Sequence, residues 1–320
     1  MLKTITVKKT RSTKQQALVL WFDEVGIDDL SLVGGKNASL GETIKQLTPK
    51  GINVPNGFAI TAYAYRYFLK SAGLEAKLRQ LFADLDIENV NNLRQRGQQA
   101  RSLILNAQFP RELEEAIAQA YAELCDRYGK ETDVAVRSSA TAEDLPDASF
   151  AGQQETYLNI RGINAVLEAT QKCIASVFTD RAISDRTLHG FDHFDVALAV
   201  GIQKMVRSDL ASSGVMFSID TETGFKNAVL VTAAYGLGEN VVQGAVNPDE
   251  YLVFKPTLRE GFRPIINKRL GSKALQMVYD RSSYHPTKNI EVPPAQRKEF
   301  AINDDEILQL AQWAVVLEDY

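Results

Sequence analysis

The chain has 320 residues, of which 45% are hydrophobic and 24% are charged. This composition excludes a collagen-like, low-complexity or mainly disordered chain, and the length predicts about two domains or lobes. The 36 basic and 40 acidic side chains leave a net charge of −4. Because no overall basic surface attracts nucleic acid or an anionic membrane, any anion site must be local.

The cysteines and the apolar runs indicate a reduced, cytoplasmic setting. Cys125 and Cys173 lie far apart and outside any CxxC spacing, so neither a zinc site nor a disulfide framework is expected. No apolar run approaches the roughly 20 residues that a membrane helix needs. Residues 1–16 are basic and are predicted to form a disordered tail, although a targeting or partner-binding arm stays open.

Helices dominate the predicted first lobe, residues 17–190. Strands are predicted at residues 17–22, 57–61 and 134–136, and helices at 36–47, 62–70, 110–128, 164–178 and directly after Thr179. The clearest helix is the third of these, because its apolar side chains recur every three to four residues and Gly129 follows it. This lobe is expected to carry the phosphate-binding loops.

Strands dominate the predicted second lobe, residues 191–320. Apolar runs predict strands at residues 196–206, 214–219, 228–233, 251–255 and 264–267, followed by a helix at 304–318. A helical part followed by a strand-rich part indicates the α+β class, with a ligand between the lobes. The boundary between the lobes is predicted near residues 190–194.

Two glycines precede a lysine at the start of a predicted helix. Gly34 and Gly35 allow the backbone to approach an anion, helix N-terminal N–H groups point towards it, and Lys36 adds a positive charge. The segment lacks the glycine spacing and the Ser or Thr of a Walker A loop. Alone, it stays open between an anion site and a turn with a solvated lysine.

A second candidate site follows the third predicted strand. Arg137 at the strand end offers a planar fork for phosphate oxygens, and the small residues after it, with Gly152, suit a loop that folds over a polyphosphate. Glu143, Asp144 and Asp147 are either magnesium contacts or simply solvated acids. Arg137 is the stronger candidate of this segment.

A third candidate site lies at the end of the strand predicted at residues 196–206. Gln203, Met205 and Arg207 stand at alternate positions, so a strand would place them on one face. That face either lines a cleft for adenine or phosphate or is an outer face of a sheet.

The histidines predict no metal site. His189 and His193 are interrupted by Gly190, and no third ligand stands at a useful spacing. Both are expected to be surface-loop histidines.

Several segments share one register with a known family. They include VGGKNASLGE at residues 33–42, VPNGF at 54–58, AVRSSATAED at 135–144, SFAGQQET at 149–156 and MVRSDLASSGVMFS at 205–218. Further matches are VLWF at 19–22, GLGE at 236–239 and VNPDE at 246–250. Over residues 17–320 the chain resembles the phosphoenolpyruvate synthase family, the pyruvate, water dikinases.

The resemblance implies an ATP-grasp-like nucleotide-binding domain of two lobes with the ATP cleft between them. It implies that Lys36 and Arg137 bind the ATP phosphates as the catalytic residues, and that Gly152, Thr156 and Gln203 also bind the nucleotide. Mg²⁺ is implied as well, with its ligands expected beyond residue 320. The domain is therefore expected to be C-terminally truncated and unable to complete the reaction alone.

The implied reaction converts ATP, pyruvate and water to phosphoenolpyruvate, AMP and phosphate. It runs through a phosphohistidine on a separate domain, so the implied partners are that domain and a pyruvate-binding domain of the full-length protein. A homodimer through those domains stays open. So do two alternatives, the nucleotide-binding domain of another dikinase such as a rifamycin phosphotransferase, and a non-catalytic nucleotide-binding module.

Overall fold

The chain folds into two units that each combine helices with antiparallel sheet. A computed structural model describes residues 11–141, 144–145, 148–149, 155–280 and 286–320. The first unit ends at Met205 and the second runs from Val206 to Tyr320. This mixture of helix and sheet agrees with the predicted α+β class.

The first unit contains eight helices and seven strands in the described part of the chain. The helices are α1 (Arg11–Gln15), α2 (Leu30–Leu47), α3 (Ala62–Ser71), α4 (Leu74–Phe82), α5 (Val90–Leu105), α6 (Arg111–Tyr128), α7 (Ile163–Ala175) and α8 (Asp180–Leu188). The strands are β1 (Val19–Trp21), β2 (Gly57–Ile60), β3 (Val134–Ala140), β4 (Asp144–Leu145), β5 (Ala148–Ser149), β6 (Thr156–Ile160) and β7 (Leu198–Lys204).

Five of these strands form a sheet in the order β1–β2–β7–β3–β6, and its two faces differ in chemistry. One face carries apolar side chains such as Ile60, Val136 and Ile202, which are buried in the main core with residues of α3 to α8. Because successive side chains of a strand point to opposite faces, Arg137 and Gln203 lie on the other face. That face packs against α2 and is called the α2 face below.

The division between the units falls after the predicted boundary at residues 190–194. The strand β7 pairs with β2 on one side and with β3 on the other, so it belongs to the sheet of the first unit. The predicted tail also differs from the structure in its last part. Residues Arg11–Gln15 form α1, and Lys14 Nζ contacts Asp29 Oδ2 at 2.9 Å.

The second unit is built on a sheet in the order β12–β11–β10–β8, with β9 also paired to β10. Its strands are β8 (Ser212–Ser213), β9 (Met216–Phe217), β10 (Ala228–Tyr235), β11 (Asp249–Phe254), β12 (Ile265–Arg269), β13 (Leu275–Tyr279) and β14 (Thr287–Glu291), the last two forming a separate pair. Its helices are α9 (Glu239–Val242), α10 (Lys255–Arg259), α11 (Pro294–Arg297) and α12 (Asp304–Asp319). The apolar face of α12 packs on β10 and β11 and forms the core of this unit.

The structure also describes both cysteines. Cys173 is buried, Cys125 is half-buried, and both are free thiols. In the part of the chain that the structure describes, no helix has the length and apolar character needed to cross a bilayer.

Candidate functional site

Arg137 lies inside β3 rather than at a strand end, because the strand continues through Ala140. Its half-buried side chain lies on the α2 face. There its Nη2 donates a hydrogen bond to Gln203 Oε1 at 3.3 Å. Gln203 in turn donates from Nε2 to the Pro55 carbonyl at 3.0 Å. The structure therefore brings two of the predicted site residues into direct contact.

The electrostatic surroundings of Arg137 favour an anionic ligand. Partial burial lowers the pKa of its guanidinium, which nevertheless remains charged because arginine does not deprotonate in proteins. Among the described residues no carboxylate forms an ion pair with it, and its side-chain partner Gln203 is neutral. A partly desolvated positive charge without a counterion gains free energy when an anion binds beside it.

Thr156 lies directly opposite Arg137 in the register of β6 and β3. Directly paired residues of neighbouring strands share a face, so the exposed Thr156 side chain lies beside Arg137 on the α2 face. The predicted loop residue Gly152 lies outside the described residues, and so do Glu143 and Asp147.

Lys36 lies on α2, which begins at Leu30 and not at the predicted residue 36. The helix is kinked at Gly34, where φ is 75° and ψ is 163°. Residues with a side chain rarely adopt this conformation, and a Cβ at Gly34 would overlap Ser139 Oγ and its carbonyl oxygen. The kink lets α2 restart at Gly35, so the exposed Lys36 lies in a new first turn.

Asn37 is not among the predicted site residues, and it holds this first turn on the sheet. Its buried side chain donates from Nδ2 to the Val33 carbonyl at 2.8 Å, across the kink. Its backbone N–H donates to Ser139 Oγ at 3.4 Å. Its Oδ1 occupies the space that a Cβ at Gly201 would take, and Gly201 is paired opposite Arg137. The start of α2 is thus fixed over the same part of the sheet as Arg137.

The third predicted motif is only partly a strand. The strand β7 ends at Lys204, so Arg207 does not share a strand face with Gln203. Arg207 instead forms two hydrogen bonds of 2.8 Å with the carboxylate of Asp209. Of Gln203, Met205 and Arg207, it is Gln203 that contacts another predicted site residue, Arg137.

His193 lies in the loop between α8 and β7, as the sequence predicted, but it is half-buried rather than at the surface. Its ring lies 5.0 Å from the ring of Phe82, and its Nδ1 accepts a hydrogen bond from Arg186 Nε at 3.2 Å. Burial first, and the guanidinium of Arg186 second, lower the pKa of His193 to about 4. The surrounding apolar rings and Arg186 make this a packing position of the first unit.

The described residues around Arg137 can bind an anion, and they form no metal cage. The described residues include no group of three or more His, Cys, Asp and Glu side chains that could hold a metal ion. A polyphosphate fits better, because it accepts from a guanidinium, from a lysine and from the N–H groups of a helix start.

A groove of about 1110 Å³ between α4 and α5 is lined by none of these residues. Its lining combines apolar side chains with amides such as Gln80, Gln99 and Asn106. The groove does not combine a partly buried cation with a neutral partner, as the α2 face does at Arg137. Its size alone therefore does not make it a better anion site than the α2 face.

Comparison with known proteins identifies the family of the chain. The model of the family described as pyruvate phosphate dikinase, AMP/ATP-binding domain, matches residues 30–320. A phosphoenolpyruvate synthase of Synechocystis sp. is 66% identical over 325 residues, covering 100% of this chain and 40% of that protein. Those of Aquifex aeolicus and Escherichia coli are 55% and 52% identical, over 96% and 95% of this chain.

The chain spans only part of these relatives, namely 40%, 36% and 38% of their lengths. The family model nevertheless covers both units of the chain, from α2 to its last residue. The chain therefore belongs to the pyruvate phosphate dikinase AMP/ATP-binding domain family.

Proposed function

We propose that this chain is the ATP-binding part of a phosphoenolpyruvate synthase, a pyruvate, water dikinase. The observation that carries the proposal is the partly buried Arg137, which has a neutral side-chain partner and lies beside the restarted helix α2. The names of the similar proteins support the synthase assignment. We also propose that the two units correspond to the lobes of an ATP-grasp-like domain.

Lys36 and Arg137 are proposed to bind the phosphates of ATP. Arg137 offers a planar fork with a fixed position in the sheet, whereas Lys36 is an exposed point charge in the first turn after the kink. Thr156 and Gly152 are proposed as further contacts to the nucleotide, and Gln203 as a member of the same site. Thr156 lies beside Arg137, which supports its place in this set.

The proposed reaction takes ATP, pyruvate and water to phosphoenolpyruvate, AMP and phosphate through a phosphohistidine on a separate domain. Phosphoryl transfer needs the nucleotide held in line with its acceptor and needs neutralisation of charge on the transferred group. Lys36 and Arg137 would supply part of that neutralisation from fixed positions. Neither residue needs to exchange a proton for this role.

Magnesium is proposed to accompany ATP, but the described residues provide no cage of their own for it. Mg²⁺ is often held by substrate phosphates and one or two carboxylates rather than by a full set of protein ligands.

Calorimetric titration of the chain with ATP in magnesium buffer tests the phosphate role. The wild-type chain is expected to bind ATP, and Arg137→Met is expected to weaken binding by roughly 10-fold to 150-fold, the range for a hydrogen bond to a charged group. The matched control is Arg127→Met, because Arg127 pairs with Glu123 and covers the Trp21 ring away from the α2 face.

Equal affinities of the wild-type and Arg137→Met chains would contradict the assignment of Arg137. In a full-length protein, Arg137→Ala is expected to abolish phosphohistidine formation while the fold persists. Product analysis with pyruvate then separates a phosphoenolpyruvate synthase from a dikinase with another acceptor.

A further inference from the structure

Asn37 is almost completely buried between α2 and the sheet, with 2% of its surface exposed. Burial of an amide costs free energy unless the amide forms hydrogen bonds. Here Nδ2 donates to the Val33 carbonyl at 2.8 Å, and Val33 is the residue before the kink at Gly34. The side chain of Asn37 therefore joins the two parts of the kinked helix.

Asn37 also fixes the restarted part of α2 over two positions that adjoin Arg137. Its backbone N–H donates to Ser139 Oγ at 3.4 Å, and Ser139 stands two residues beyond Arg137 on the same face of β3. Its Oδ1 lies against Gly201, which is paired directly opposite Arg137 on β7. The turn that carries Lys36 therefore has one contact on the strand of Arg137 and one on the neighbouring strand.

The fit between Asn37 and Gly201 leaves no room for a side chain at the glycine. A Cβ at Gly201 would overlap Asn37 Oδ1, and its three nearest neighbours outside its own segment are all atoms of the Asn37 amide. The Gly201 backbone is not left-handed, so an added side chain would meet this overlap without backbone strain. The Asn37 amide thus sets the spacing between the start of α2 and β7.

We propose that Asn37 is a positioning residue that holds the turn carrying Lys36 at a fixed distance from Arg137, so that one polyphosphate reaches both cations. Two cations on separate elements bind one ligand more tightly when their separation is set beforehand, because less ordering is required on binding. This inference rests on the proposed ATP-binding function. Because its side chain is buried, Asn37 affects binding through the position of Lys36.

The first test is calorimetric titration of the full 320-residue chain with ATP and with inorganic tripolyphosphate in magnesium buffer. Asn37→Ala removes the hydrogen bond across the kink and the contact with Gly201. It is expected to weaken binding of both titrants by the same factor, about 2-fold to 12-fold. Unchanged affinities, or a loss confined to ATP, would overturn the proposal.

The second test changes the other side of the same contact. Gly201→Ala is expected to weaken binding of both titrants, because its Cβ displaces the Asn37 amide and the turn with it. In the Asn37→Ala background the overlapping atoms are absent, so Gly201→Ala should cause little further loss. A loss of the same size in both backgrounds would show that Gly201 acts independently of Asn37 and would overturn the proposal.

A further double-mutant cycle tests whether Asn37 acts through Lys36. If it does, Asn37→Ala causes a smaller loss of affinity in the Lys36→Met background than in the wild-type chain. Equal losses in the two backgrounds would contradict the positioning role.

Asn106→Ala is the matched control, because it removes the same type of hydrogen bond at the end of another helix, α5. Asn106 Nδ2 donates to the Ser102 carbonyl four residues earlier at 2.8 Å, as Asn37 Nδ2 does within α2. Gln171→Met controls for lost stability, since Gln171 Nε2 donates to two backbone carbonyls of the first unit at 2.7 and 2.6 Å. Both controls should keep both affinities, and Gln171→Met should lower the melting temperature. A loss of affinity in either control equal to that of Asn37→Ala would attribute the effect to general loosening and overturn the proposal.

Failure of the inference is distinguishable from failure of the proposed function. A wild-type chain that binds neither titrant contradicts the proposed function and the inference together. A wild-type chain that binds both and is weakened by Arg137→Met, but not by Asn37→Ala, contradicts the positioning role alone.

Discussion

Gly34 and Ser139 explain why the helix that carries Lys36 can lie so close to the sheet. A side chain at Gly34 would overlap both the hydroxyl and the carbonyl of Ser139, and the backbone there is in a region that glycine alone adopts readily. Gly34 therefore serves the close approach of α2 to β3.

Replacement of this glycine tests the close approach. Gly34→Ala is expected to lower the free energy of unfolding by about 3 kcal/mol or more, from the backbone strain plus steric overlap. Gly162→Ala is the matched control, since Gly162 has a similar conformation (φ 79°, ψ 150°) but open space around a Cβ. Urea unfolding of both variants measures the difference, and equal losses would contradict the proposed packing role.

The pKa of His193 predicts a pH dependence of stability. Its folded pKa of about 4 lies below its ordinary value of 6.5, so the unfolded chain binds this proton more tightly. This group therefore stabilises the fold above about pH 6.5, and the contribution is lost as the pH falls towards 4. Unfolding measured across this range should show the slope.

His193→Gln is expected to flatten that slope, because Gln can accept from Arg186 without titrating. The control His189→Gln changes an exposed histidine and should keep the wild-type slope. An unchanged slope in His193→Gln would show that another group controls the pH dependence.

Part of the candidate site could be predicted from single residues and part could not. Successive side chains of β3 and β7 point to opposite faces, and Arg137 and Gln203 lie on the face opposite to the buried apolar side chains. This alternation in the sequence is enough to predict that they share a face. The contact of Asn37 with Gly201 depends on how α2 packs on the sheet, and no local pattern encodes it. The hydrogen bond from Gln203 to the Pro55 carbonyl is likewise not predicted by any local pattern, because it depends on the pairing of β2 with β7.

At the scale of elements, strong periodicity predicted the helices and strands that form the cores. The helices α3, α6, α7 and α12 and the strands β2, β10 and β11 lie close to their predicted bounds. The helices α4 and α5 were not predicted. In α5 the helical pattern is weak because the helix is rich in polar residues and carries Gly97 in its interior. A Cβ at Gly97 would overlap Asp180, so this glycine allows α5 to pack on α8.

The junction of α10 and α12 gives a prediction at this scale. The buried Lys255 Nζ contacts both carboxylate oxygens of Glu318, at 2.7 and 2.8 Å, and donates to the Ser218 carbonyl. Glu318→Gln leaves that ammonium without its counterion and is expected to lower the free energy of unfolding by about 3 kcal/mol. Thermal or urea unfolding of the variant measures this loss.

The neighbouring pair of Arg259 with Asp319 supplies the control. Both side chains are largely exposed, so Asp319→Asn should change stability much less than Glu318→Gln. A similar decrease in the free energy of unfolding of the two variants would show that burial of Lys255 does not determine how much its ion pair contributes to stability.

For the whole molecule, length predicts about two domains or lobes and the strand patterns predict a boundary near residues 190–194, whereas the structure divides into two units after Met205. The apolar run at residues 196–206 predicts a strand, which the predicted boundary assigns to the second lobe, but the run itself does not show which sheet that strand joins. Long-range pairing decides the matter, because β7 occupies a central place in the first sheet. The proposed site residues described by the structure consequently all belong to the first unit.

The central claim is that the α2 face around Arg137 binds the phosphates of ATP. Amide hydrogen exchange of the chain with and without ATP in magnesium buffer tests it most directly, because it locates the bound nucleotide. ATP should slow exchange at the start of α2 after Gly34 and along β3 and β7, and leave the α4–α5 groove unchanged. Slowed exchange in that groove, with no change around Lys36 and Arg137, would contradict the claim.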